Sequence, residues 1–188
     1  MPELEAYRGL SDARYRDYTG LAGGETMFLV VRILTYATLF VGFLLVYLPA
    51  RLLSWTGISC PAAMTWPQIT GILIASMGVL VALGCVCAFA WIGKGTPAPF
   101  DPPRRLVVRG PYRFVRNPMY LGAGMALAGA ALFYESVPLL TYGALFLVAA
   151  HLFVVFYEEP ALRRTFGPDY EEYCRHARRW QPGLHSAH

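Results

Sequence analysis

Residues 68–92 read QITGILIASMGVLVALGCVCAFAWI, and no charged side chain lies anywhere between Arg51 and Lys94. Apolar residues occupy every helical face of this stretch, which excludes an amphipathic helix lying on a core or on a bilayer surface. A helix needs about 20 such residues to cross about 30 Å of hydrocarbon, so the stretch reads as a transmembrane span. Composition agrees. Of 188 residues 56% are hydrophobic and only 15% charged, and the mean hydropathy is +0.41, which suits a multi-span membrane protein better than a soluble domain.

Working outward, three more runs are long enough to span: 27–48, 118–137 and 139–157. The third has a short strongly apolar part, Met119 to Tyr134, with Glu135 near its far end, and Pro138 makes the turn into the fourth tight. These two are expected to form a helical hairpin. The expected fold is thus an all-α integral membrane protein of about four transmembrane helices with a cytoplasmic C-terminal helical tail. Residues 1–26 form an N-terminal segment, and 27–188 form one membrane domain whose tail is 158–188.

Charge gives the orientation. Segment 1–26 holds three Arg, segment 93–117 holds Lys94 and five Arg, and the tail after Tyr157 holds five Arg, while the two intervening loops hold only Arg51. By the positive-inside rule both termini face the cytoplasm. The net charge of +4 therefore serves an anionic leaflet, and no nucleic-acid partner is expected. An acidic, Tyr-rich stretch precedes the first apolar run, so that run reads as a retained anchor rather than a cleavable signal.

Several smaller features complete the reading. Tyr7, Tyr15, Tyr18 and interspersed charges suggest a surface helix closed by Gly23-Gly24, and Arg32 is placed to snorkel to the interface. Trp55 and Trp66 are expected interfacial anchors. Six prolines between Pro97 and Pro118 make the second polar segment an extended excursion. Cys60, Cys85, Cys87 and Cys174 lack metal-ligand or pairing spacing; Cys85 and Cys87 should face different sides of one helix, and no metal or redox role is assigned.

Polar chemistry gathers in two blocks. The first, GPYRFVRNPMYLG at 110–122, sets Tyr112, Arg113 and Arg116 against a helix start marked by Asn117 as cap and Pro118 as first helical residue. Such a start aims free N–H groups at a carboxylate or phosphate. The second block, EEPALRRTFGPDYEEYCRHARRWQP at 158–182, opens on two carboxylates at a helix C-terminus, where the dipole disfavours them and a compensating cation such as Arg116 is wanted. Pro160 to Gly167 suggests one short helix, and Pro168 to about Arg178 another. His151, two turns and about 10 Å before Glu158, would share its face and line a cavity or meet a neighbouring helix.

Together the two blocks resemble the isoprenylcysteine carboxyl methyltransferase and phospholipid methyltransferase group of integral membrane enzymes. That group's pattern is Arg-His-Pro-x-Tyr-x-Gly, a Glu-Glu pair, then Phe-Gly-x-x-Tyr-x-x-Tyr. Arg116, Pro118, Tyr120 and Gly122 match the first element, Glu158 and Glu159 the second, and Phe166, Gly167, Tyr170 and Tyr173 the third. Asn117 stands where the group usually has His.

The resemblance implies S-adenosyl-L-methionine as methyl donor and a lipophilic or lipidated acceptor entering from the bilayer. It implies Arg116 and Glu159 as the catalytic pair, with Tyr112, Asn117, Pro118, Tyr120, Leu121, Gly122, Glu158, Tyr170 and Tyr173 around the cofactor. The chemistry fits: Arg suits the cofactor's carboxylate, Glu its ribose hydroxyls, and Tyr faces a sulfonium, by about 0.5 to 2 kcal/mol. For a carboxylate acceptor Arg116 would hold the nucleophile, and for an amine Glu159 would take the proton. Two other readings remain open from sequence: a membrane sterol reductase using NADPH, whose Arg-His-Pro-x-Tyr block is similar, and a non-enzymatic membrane scaffold.

Overall fold

The computed structural model describes residue 35, residues 41–88 and residues 106–181. The expected surface helix, Arg32 and most of the proline-rich segment lie outside them. Among the described residues the fold is all-helical, with one isolated parallel bridge between Val115 and Arg178. The helices are α1 (Gly42–Trp55), α2 (Trp66–Ala88), α3 (Pro118–Phe133), α4 (Val137–Phe166) and α5 (Pro168–His176). A single 3-10 turn, Gly110–Arg113, precedes α3.

By length and composition α2 and α4 could each cross a membrane, whereas α1 and α3 are shorter apolar helices. Large apolar side chains point outward from both long helices, with Leu80 68% and Phe156 76% exposed. Outward apolar faces of this extent suit lipid rather than water. Trp55 and Trp66 are exposed at the ends of α1 and α2, as interfacial anchors would be. Cys85 is buried and Cys87 exposed, on different sides of α2 as expected.

Three helix limits differ from the sequence expectation. The first helix runs on to Trp55 rather than stopping at residue 48: a π turn at Gly42–Tyr47 lies just upstream of Pro49, which has no N–H to return, so the helix widens there and continues. The third ends at Phe133, because Glu135 takes a positive φ of 48° and the Ser136 hydroxyl then caps α4 by accepting from Leu139 N at 3.2 Å. The fourth continues without a break from Val137 to Phe166. A wide π turn at Val154–Glu158 lies just upstream of Pro160, which has no N–H to return, so the helix widens there instead of ending. Gly167, at φ 49°, closes it, and Pro168 opens α5.

The contact between α2 and α3 sets the frame. A Cβ on Gly71 would lie 2.6 Å from the Gly129 carbonyl oxygen, and one on Gly122 would lie 2.7 Å from that of Gly78. On each helix the two glycines are seven residues apart, nearly two turns, so the backbones touch at two levels of one antiparallel seam. At one end of the seam the buried Gln68 amide donates to Glu135 Oε1 at 2.8 Å and to Phe133 O at 3.3 Å. At the other end Cys85 and Ala88 pack with Val107 and Tyr112, which brings the Arg-rich block against the start of α3.

Gly78→Leu or Gly129→Leu should force the helices apart and cost about 1–3 kcal/mol or more. The thermal midpoint in detergent should fall for both, but not for Gly42→Ala, whose Cβ would meet nothing within 4 Å.

Candidate active site

Three segments meet at this end of the helices: residues 112–120, the Glu158-Glu159 pair at the π turn of α4, and α5 with the extended stretch after it. Glu159 is 3% exposed. Arg179 grips both of its carboxylate oxygens, Nε to Oε1 at 2.7 Å and Nη2 to Oε2 at 2.9 Å. Arg116 Nη2 stands 3.4 Å from Oε1 and Arg163 Nη1 3.9 Å from Oε2, although Arg163 is half exposed and bonded more closely to Glu171. Fork-on-carboxylate pairing of this kind is stronger and better oriented than a point charge.

Arg116 is the expected partner of Glu159 and is found beside it. Its Nη1 also donates to Cys174 Sγ at 2.6 Å, while its Nε is buried with no hydrogen-bond partner, unlike any other buried side-chain nitrogen or oxygen among the described residues. Three guanidinium groups among the described residues lie within 4 Å of Glu159, one of them, Arg163, shared with Glu171. Glu158 has a different environment: the Tyr120 hydroxyl donates to its Oε2 at 3.1 Å.

The stretch after α5 is stitched to the first block. Arg116 N donates to Arg178 O at 2.9 Å, Asn117 Nδ2 to Arg179 O at 3.3 Å, and the Tyr173 hydroxyl to Tyr112 O at 2.7 Å. Asn117 thus occupies the cap position of α3 without capping it, because its side chain is spent on the tail. Tyr170 is fully buried beneath Arg163 and edge-on to Tyr173.

Not every residue singled out from the sequence lies on this cluster. Gly122 is where α3 touches α2, and Pro118 is a buried first helical residue; both shape the scaffold. Leu121 is half-buried, its N–H bonded to Asn117 O. Arg113 is exposed over the Phe114 ring. His151 accepts from Trp180 Nε1 at 3.0 Å, so it meets the tail, while the π turn carries Glu158 toward Tyr120. Arg179 and Trp180 are not singled out by the sequence, and Cys174 is given no site role there. A buried carboxylate pair signals that cations are needed, but nothing in Arg178-Arg179 tells which one turns inward until the backbone is known to be extended there.

Residues 66–169 match the family model of phospholipid methyltransferase, more than half of the chain. The chain belongs to the phospholipid methyltransferase family. Searches of curated proteins and of solved structures gave no match. The phospholipid methyltransferase match runs from the first residue of α2 into the first turn of α5, so it takes in Arg116, Tyr120, Glu158 and Glu159 and stops short of Tyr170, Tyr173 and Arg179. The family points to a methyltransferase acting on lipid-related substrates, in keeping with two apolar helices long enough to cross a membrane.

The phenols of Tyr112, Tyr170 and Tyr173 are all pushed above their ordinary value of about 10, chiefly by burial, with the charge of Glu159 adding at Tyr170. A raised folded-state pKa gives stability that is complete below the unfolded value and lost as pH climbs toward the folded one. The thermal midpoint should therefore hold through neutral pH and drop above about pH 10. Tyr173→Phe should flatten that drop and lower neutral-pH stability by about 1 kcal/mol, through loss of its bond to Tyr112; an alkaline limb of unchanged steepness would contradict this.

Proposed function

We propose that the protein is a four-span membrane enzyme that moves a methyl group from S-adenosylmethionine to an oxygen or nitrogen of a lipophilic acceptor, with both termini and the site at the cytoplasmic face. The carrying observation is the convergence of Arg116 and Glu159, and of Tyr120 and Glu158, on one helix-end cluster in a chain of the phospholipid methyltransferase family. The charge asymmetry of the sequence supports the orientation. In this arrangement residues 1–26 precede a single membrane domain, and the tail from residue 158 covers the cofactor.

The residues present fit such a cofactor. The unpartnered Arg116 Nε suits its carboxylate, and the protonated, half-buried phenol of Tyr173 leaves a neutral ring face for a sulfonium. When bound, the cofactor supplies a methyl carbon whose bond to sulfur breaks as its bond to the acceptor's oxygen or nitrogen forms, leaving S-adenosylhomocysteine. The chain's part is alignment and exclusion of water, which the tail packed across residues 112–117 provides. An amine acceptor must also lose a proton. Glu159, the sequence-based choice, has both oxygens committed to Arg179; Glu158, bonded to the neutral Tyr120 hydroxyl, is the better acceptor for it. For a carboxylate acceptor, Arg116 holds the nucleophile. The acceptor arrives laterally from the bilayer.

Calorimetry on detergent-purified protein should show binding of S-adenosylhomocysteine and none of NADPH; binding of NADPH alone would overturn the reading in favour of a reductase. With radiolabelled S-adenosylmethionine, label should pass into vesicle lipid, tested with phosphatidylethanolamine and with a fatty acid as amine and carboxylate acceptors. Arg116→Ala and Glu159→Ala should each cut transfer by at least about 100-fold while the purified variants remain folded. Wild-type turnover in both would remove the site assignment.

A further inference from the structure

Glu159 stands at the first position of the α-helical turn after the π turn, and its carboxylate is withdrawn from water. Of the three cations near it among the described residues, only Arg179 reaches it at hydrogen-bond length, and it does so at both oxygens. Arg179 is itself held from three directions. The carbonyl before it accepts from Arg116 N, its own carbonyl accepts from Asn117 Nδ2, and the indole after it donates to His151. Its place is therefore set by the first polar block and by α4, the elements that carry Arg116 and Glu159. It also lies ten residues past the end of the family match at 169.

We propose that Arg179 is the positioning residue for Glu159, its fork fixing the plane of the carboxylate so that Arg116 keeps an open edge toward the ligand. This rests on the reading of the Arg116–Glu159 cluster as part of the cofactor site. The arrangement explains why Arg116 Nε is left unpaired: Arg179 takes the carboxylate, and Arg116 meets it only at 3.4 Å. It also gives Asn117 a definite task, since its amide anchors the peptide that carries the fork. A Lys at 179 would keep the charge and lose the two-point grip.

The test is calorimetry on the detergent-purified full chain with S-adenosylhomocysteine as probe, each variant's thermal midpoint being recorded alongside. Arg179→Gln should raise the dissociation constant about tenfold, and Arg179→Lys should recover only part of that loss. In a Glu159→Gln background, Arg179→Gln should cost nothing further, because the carboxylate it orients is gone. Equal losses in both backgrounds, or wild-type affinity in a folded Arg179→Gln, would overturn the proposal. If Arg179→Gln does not fold, Arg179→Lys decides: reduced affinity supports the fork and wild-type affinity overturns it. Absence of binding by the wild-type chain would remove the reading of the site and this assignment with it, a result distinct from wild-type binding shared by every variant.

Discussion

A carboxylate taken out of water must be met by cations, and the buried Glu159 imposes that demand on everything around it. The groups that meet it come from separate parts of the chain, Arg116 before α3 and Arg179 after α5. Neither is near Glu159 along the sequence. Satisfying one charge therefore closes the first polar block, the end of α4 and the tail onto each other. The hydrogen bonds of Arg116 N, Asn117 and Tyr173 then hold that closure independently of charge.

That closure needs a frame of the right width, which the glycines provide. With no Cβ at Gly71, Gly78, Gly122 and Gly129, α2 and α3 run in backbone contact, and Tyr112 is brought to pack beside Cys85 at the end of α2. The π turn in α4 makes a second adjustment. It lets a single helix pass Pro160 and turns Glu158 toward Tyr120 and Glu159 toward the arginines, so neighbouring carboxylates face different environments.

Much of this was legible in the residues. The uncharged run after Arg51 identified α2, Pro138 placed the hairpin turn, and Gly167 with Pro168 marked the break before α5. Sequence placed Glu159 at a helix C-terminus in want of a cation; the helix in fact runs on to Phe166, and burial creates the need that Arg116 and Arg179 meet. What could not be read depends on tertiary approach. Asn117 looks like a helix cap by local rules, yet it serves the tail, because a backbone carbonyl 62 residues away arrives within reach. Gly122 looks like part of a ligand motif, while its neighbour in space is Gly78. Helix continuity through Pro160 was missed because proline signals a start or a break in sequence, and a π turn leaves no composition signature.

The parallel pairing of Val115 with Arg178 carries a consequence for how the protein folds. The two residues stand 63 positions apart, so their pairing closes a long loop, and the packing of α2, α3 and α4 between them shortens the distance that loop must span. Until that pairing forms, Glu159 lacks its closest cation and the backbone N–H of Arg116 lacks its acceptor. The pairing thus couples two non-local requirements in one contact: a chain that closes there satisfies a backbone donor and a buried carboxylate together.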